Sequence, residues 1–301
     1  MRSTRSALAL MLVGTLVLAA CGDDETADEP GSAASPTVNV GRTNDPLSQL
    51  MAEIYSQGME NAGVRVGRKD PAADLDALYA GLAAGSVQFV PESTVSLLGR
   101  LGVDVPATTD EQLTAINAAL PDGQTASAIA AATISQAVVC GVSVVESNEL
   151  TSISDLAQAS ADISLGGTGV FGSSTSFGLA DLNTAYEADF AFVASGDTDA
   201  DVAAAIVAGD VDCGVLSSVE PAITTEDLIA LEDDKSAAPP DALVPLMAVS
   251  AATPEVIAVI TQLNSLLTTD VVRALLVKLA TGDQTVDVLA KAFLASQSSD
   301  Q

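Results

Sequence analysis

The sequence predicts a parallel α/β fold in two lobes, on three observations. Short apolar runs of strand length alternate with stretches whose apolar residues recur every three or four positions, the pattern of strands joined through covering helices. With 301 residues, 48% of them apolar, and a mean hydropathy of +0.38, the chain can bury a core large enough for two lobes. No internal repeat and no second linker interrupts that alternation.

The N-terminus is read first. Arg2 and Arg5 precede an apolar run, Ala7 to Ala20, that is too short for a membrane span and ends at Cys21. Leu18-Ala19-Ala20-Cys21 resembles a bacterial lipobox, which implies a signal peptide over 1–20 and a diacylated Cys21 as the first mature residue. The alternative is an ordinary secretory leader cleaved further on, near Ala33-Ala34. Residues 21–36 are acidic, small and punctuated by proline, a composition that packs no core and predicts a tether reaching about 20 Å. The globular part begins near Thr37.

From there the elements follow in order. The run 37–41 is strand-like; Asp45 as N-cap and Pro46 at the first helical position open a helix carrying Leu47, Leu50, Met51 and Ile54. The same unit recurs: a strand at 64–67, a helix with Leu75, Leu78, Tyr79 and Leu82, and Gly85 past its end. A strand at 87–90 then leads into a helix through Leu97, Leu98 and Leu101. Apolar runs at 137–145, 161–166, 188–193, 211–216 and 242–250 supply further strands, with an Ala/Val helix over 199–208. Helices over 254–267, 270–280 and 285–295 close the chain. The expected lobes are 37–120 with 218–301, and 121–217.

Charge and composition exclude whole classes of function. Eleven basic against 40 acidic residues give a net charge of −29, unsuited to nucleic acid or an anionic membrane surface. Histidine is absent, which removes the usual general base, the Ser-His and Cys-His nucleophile pairs and His-ligated metals. No enzyme, cofactor or metal site is expected. Cys140 and Cys213 each sit in an apolar run; an exported protein favours a disulfide between them, with two buried inert thiols as the alternative.

Ligands of open α/β sheets gather beyond the carboxyl ends of the strands, so the polar corners there are the candidate site. These are Arg42, Thr43 and Asn44 after the first strand, and Glu92, Ser93 and Thr94 in the corner "FVPESTV". The loop "GGTGVFGSSTS" adds Gly169, Ser173 and Ser174; Gln136, Ser217 and Ser218 complete the set. Hydroxyls and N–H groups at such corners suit a small polar or anionic ligand, with Arg42 as counter-charge, although Ser and Thr also cap helices without any ligand. Gly167, Gly169 and Gly172 spell GxGxxG, but no Lys follows them and Glu187 and Asp189 are poorly placed for a ribose, so nucleotide binding is not expected. Asp199 with Asp201, and Asp233 with Asp234, read as solvated faces of an acidic protein. Tyr55 and Tyr79 fit helix packing at least as well as ligand contact.

Several stretches together resemble the substrate-binding proteins of ABC importers for glycine betaine, choline and related osmoprotectants. "VNVGRTNDPLSQLMAEIYSQGMENAG" is similar to that family's opening strand and helix, and "AGLAAGSVQFVPESTVSLL" to its helix, strand and Pro-Glu-Tyr-Thr-Gly corner. "LTSISDLA" matches its second-lobe helix entry. "LIALEDDKSAAPPDALVPLM", followed by "LNSLLTTDVVRAL", is the most specific match.

The resemblance implies a two-lobed periplasmic-binding-protein fold of type II, two parallel-core sheets joined by two crossing strands with the ligand closed between them. It implies a monomeric, lipid-anchored extracytoplasmic protein delivering a small solute to permease subunits, and it makes the "PES" corner a lip of the cleft. A sensor or protein-interaction lipoprotein on the same scaffold is the alternative. Betaine binders of this family cage the quaternary ammonium with aromatic rings. Here the expected tyrosine is Ser93, tryptophan is absent, and no Lys or Arg lies between Arg100 and Lys235. Arg42 is the one cationic candidate near the first strand, where the family's Lys aligns with Thr43. The scaffold points to that family; the pocket chemistry departs from it.

Overall fold

A computed structural model describes residues 37–298 except 175–176 and 283. The expected leader, Cys21 and the expected tether lie outside the described residues. Ten strands form two five-stranded sheets. The first holds β1 (Val38–Val40), β2 (Val66–Arg68), β3 (Phe89–Ser93), β4 (Gln124–Ala126) and β10 (Leu243–Ala248), in the order β2-β1-β3-β10-β4. The second holds β5 (Gln136–Cys140), β6 (Ser164–Gly167), β7 (Ala191–Ala194), β8 (Cys213–Ser217) and β9 (Ile229–Ala230), in the order β7-β6-β8-β5-β9.

Each sheet has a parallel core, as expected, with antiparallel strands beside it. β2, β1 and β3 run parallel and β10 antiparallel to β3; β7, β6 and β8 run parallel and β5 antiparallel to β8. The reversed strands, β5 and β10, are the ones that follow the two crossings. The chain passes between sheets twice, over 127–135 and 231–242. The expected lobe limits shift accordingly: residues 124–126 belong to the first sheet and 229–230 to the second. The crossings hold each other through an antiparallel bridge at Thr133 and Ala242, with Ile134 N–H donating to Asp241 O at 2.6 Å.

The first sheet is covered on one side by α1 (Pro46–Asn61), and its other helices before the crossing are α2 (Leu75–Ala83), α3 (Thr94–Leu101) and α4 (Thr109–Ala119). The second sheet carries α5 (Val142–Asn148), α6 (Ile153–Gln158), α7 (Gly169–Ser173), α8 (Leu179–Tyr186), α9 (Asp199–Ala208) and α10 (Ala222–Thr225). The chain ends in α11 (Pro254–Leu266), α12 (Thr269–Ala280) and α13 (Val286–Ser298), which return to the first core.

Helix α1 shows how the sequence sets the frame. Asp45 accepts the Ser48 N–H at 2.9 Å and Pro46 supplies the pre-set first φ. Leu50, Met51, Ile54, Tyr55 and Met59 then fall on one fully buried stripe against Phe89 and the C-terminal helices. Each such side chain contributes about 1.5–3 kcal/mol on burial, so the N-terminus of α1 is held rigidly at the sheet's end.

One apolar run divides where a single strand was expected. Within 137–145, β5 stops at Cys140, and Gly141 opens α5. A short apolar run does not itself separate strand from helix; Val142 is 39% exposed, so these valines are not a continuous buried strand. Cys140 and Cys213 face each other in the β5–β8 ladder and form a disulfide with no exposed surface. Among the described residues no single helix is long and apolar enough to cross a membrane.

Candidate functional site

The site is built where the strands of the two parallel cores end. On the first sheet, β1 leaves through Gly41, where a Cβ would meet Leu78 at 2.5 Å and Val87 at 2.8 Å, so the backbone passes closer than any side chain permits. The loop then folds on its own polar groups: Thr43 N–H donates to Ser48 Oγ at 3.0 Å and Asp45 N–H to Thr43 Oγ1 at 3.3 Å. Opposite, β3 ends in Pro91-Glu92-Ser93. A cavity of about 270 Å³ lies between these corners, lined by Thr43, Asp45, Glu92 and Ser93 with an apolar wall that includes Met51 and Leu243.

Glu92 is 7% exposed and accepts the Ser93 N–H on Oε2 at 2.9 Å. Burial pushes its carboxyl above the ordinary range, with the Ser93 N–H, neighbouring hydroxyls and the Arg100 charge holding it part-way back. Ser93 and Thr94 turn the other way. Ser93 Oγ caps α3 by accepting the Ser96 N–H at 3.3 Å and donates to Asp241 Oδ2 at 3.0 Å. Thr94, fully buried, accepts the Ala242 N–H at 3.1 Å and donates to Asp241 Oδ1 at 3.3 Å. Asp241 also takes the Val95 N–H at 2.9 Å, while its own N–H donates to Ser135 Oγ on the other crossing. Desolvation raises Asp241 to about 6. Its carboxylate thus fastens α3 to one crossing, and its backbone ties that crossing to the other.

The second-sheet wall is built from the end of β8 and the start of α9. Ser217 N–H donates to Asp199 at 2.8 Å. Asp199, Ser217 and Glu220 line a groove of about 910 Å³ that also takes in Asp45 and Leu47 from the first wall. Asp45 and Leu47 therefore belong to both cavities, which meet at the N-terminus of α1. Burial raises the carboxyls of Asp199 and Glu220, and the charge of Asp45 raises them further. Asp199 is thus part of the groove, correcting its reading as a solvated face. Asp233 is likewise occupied, accepting the Ala237 and Ala238 N–H groups at 2.9 and 2.8 Å.

Neither cavity lining contains an aromatic ring, a lysine or an arginine. The tyrosines are committed elsewhere. Tyr55 is in the first core against Phe89 with its hydroxyl on Asn264; Tyr79 lies under the Arg100 guanidinium, 4.0 Å from its centroid; Tyr186 donates to Asp233 at 2.5 Å beneath Lys235.

The expected site residues divide accordingly. Thr43, Glu92 and Ser93 meet in the smaller cavity, and Ser217 lines the larger. Arg42 lines neither; its charge acts on Glu53 of α1, and Asn44 is exposed, offering its carbonyl to Gln49. Thr94 and Ser218 serve the crossings, Ser218 N–H donating to Ser135 O at 2.9 Å. Gln136 lines a separate cavity of about 80 Å³ between Phe171 and Phe177. Gly169 begins α7, Ser173 Oγ turns back to the Gly169 carbonyl at 2.9 Å, and Ser174 Oγ accepts the Phe177 N–H at 3.4 Å. The residues not anticipated are acidic: Asp199, Glu220 and Asp241, with Asp45 expected only as a cap. Among the described residues no group of three or more such side chains is arranged to hold a metal ion.

Residues 36–296 match the family model described as the substrate binding domain of ABC-type glycine betaine transport systems. No curated protein sequence matches the chain. A solved glycine betaine/carnitine/choline ABC transporter structure superimposes with a TM-score of 0.76 at 18% identity, covering 87% of this chain and 98% of that one. Apo YehZ from Escherichia coli gives 0.71 at 18%, over 87% and 98%. Lactococcal OpuAC, closed on glycine betaine, gives 0.56 at 16%, over 87% and 96%. At these identities the structural matches establish the fold, a two-lobed periplasmic-binding-protein fold of type II.

Proposed function

Because the chain belongs to the family of substrate-binding domains of ABC-type glycine betaine transport systems, we propose that it captures a small polar solute between its two sheets and hands it, unchanged, to the membrane subunits of an importer. The observation that carries this reading is the pair of cavities joined at Asp45, walled by the strand ends of both sheets. A ligand in the larger of them touches both lobes at once, and two crossing segments provide the hinge for closing over it. The lipobox-like stretch at Cys21 supports anchoring outside the cytoplasm by acyl chains, with residues 22–36 as tether.

The cleft offers hydroxyls, backbone N–H groups and carboxylates in place of rings. Each desolvated cation–π contact is worth up to about 2 kcal/mol, so a cleft without them forfeits the usual hold on a quaternary ammonium. Calorimetric titration with glycine betaine, choline, carnitine, proline betaine and a set of neutral and anionic solutes tests the reading. Saturable micromolar binding of one small solute is the expected outcome. No binding across all charge classes would sink solute capture.

A further inference from the structure

The smaller cavity contains a group whose chemistry narrows the solute. Glu92 is more than nine-tenths buried, yet none of the ion pairs among the described residues includes it. Arg100, the basic residue whose charge reaches it, spends its guanidinium on Asp76 at 2.5 Å and on the face of Tyr79. The Ser93 N–H satisfies one carboxylate oxygen and the hydroxyls of Tyr79 and Ser96 lie close enough to act on the group, but all three donors are neutral, and the carboxyl lines the cavity of about 270 Å³. A carboxylate so placed has lost much of its hydration without gaining a cation.

The rest of the lining fixes what kind of cation completes it. Thr43, Ser48 and Ser96 add hydroxyl-bearing side chains, Asp45 a second carboxylate, and no aromatic ring is present. A quaternary ammonium has no N–H to donate; its methyl groups would hold the nitrogen away from the oxygens, and its preferred partner is an aromatic face. An ammonium with N–H bonds donates to the carboxylate directly, in a charge-assisted hydrogen bond. The apolar wall accepts a short carbon chain, and the cavity lies at the small end for ligand pockets.

We infer that Glu92 anchors the solute, and that the solute is a compact primary or secondary ammonium rather than a quaternary one. The inference rests on the solute-capture reading above and specifies its chemistry. One charge-assisted bond corresponds to roughly tenfold to a hundredfold in affinity.

The test is a methylation series, ethanolamine, N-methylethanolamine, N,N-dimethylethanolamine and choline, titrated against the full chain and its Glu92→Gln variant in detergent. Binding is expected to weaken with each methyl, ethanolamine at least tenfold tighter than choline, and Glu92→Gln is expected to abolish that preference. A cooperative melt and an unchanged far-UV spectrum confirm that the variant is folded. Choline binding as tightly as ethanolamine, or a Glu92→Gln variant that keeps the gradient, overturns the inference and leaves solute capture standing. Silence of the whole series also overturns it; capture itself falls only if the wider solute panel is silent too.

Discussion

Two carboxylates flank the corner Ser93-Thr94, and the structure uses them differently. Asp241, on a crossing, receives two hydroxyls and one backbone N–H. Glu92, at the end of β3, receives the N–H of its neighbour, feels the hydroxyls of Tyr79 and Ser96, and lines a cavity. Both are raised by desolvation, so a perturbed titration does not by itself separate a fastener from a ligand site. The surroundings do. A carboxylate met by protein donors on both oxygens is complete without a ligand; one that lines open volume with no cationic partner is not.

That contrast can be broken most forcefully at Asp241. Asp241→Val strands three donors at once, and the expected loss is about 3 kcal/mol of unfolding free energy in a urea titration. A loss below about 1 kcal/mol would show that the crossing does not depend on this group. Next in size is the pH dependence. Asp241 sits at about 6 when folded against 3.8 as its ordinary value, so its contribution to stability is full below about pH 4 and is lost as pH rises through 6. The cost of ionising it is about 3 kcal/mol by that shift. Melting curves from pH 4.5 to 7.5 should therefore flatten in Asp241→Asn relative to the wild type, and parallel curves would contradict the assignment.

Smaller effects sharpen the comparison. Ser93→Ala removes both the cap of α3 and one bond to Asp241, for an expected loss of about 1 kcal/mol by thermal denaturation. Glu92→Gln should change stability by less than about 1 kcal/mol, and upward at neutral pH, because it removes a charge that burial disfavours. A large destabilisation there would make Glu92 a structural group like Asp241.

Much of this was legible in the sequence for a physical reason. The start of α1 was readable because a cap, a proline and an apolar stripe are local signals, and Tyr55 and Tyr79 belonged to that stripe pattern. The missing rings were a matter of composition. β4 and β9 escaped notice because three and two residues carry no period, and their places come from pairing with distant strands. α5 was hidden in an apolar run. The roles of these acids were illegible for a related reason: Asp199 meets Ser217 across 18 residues and Asp241 meets Thr94 across 147. Nothing beside Asp199 or Asp241 in the chain distinguishes them from the solvated acids of a chain with 40.

The most direct measurement is the titration of the Glu92 carboxyl by carbon-detected NMR on glutamate-labelled protein, assigned by its loss in Glu92→Gln, with and without saturating ethanolamine. A raised value in the free protein that falls when the ammonium binds is the predicted result, since a cation at the carboxylate favours its charged form. A Glu92 titration that does not move when ethanolamine saturates the cleft would contradict the assignment of Glu92 as the anchor.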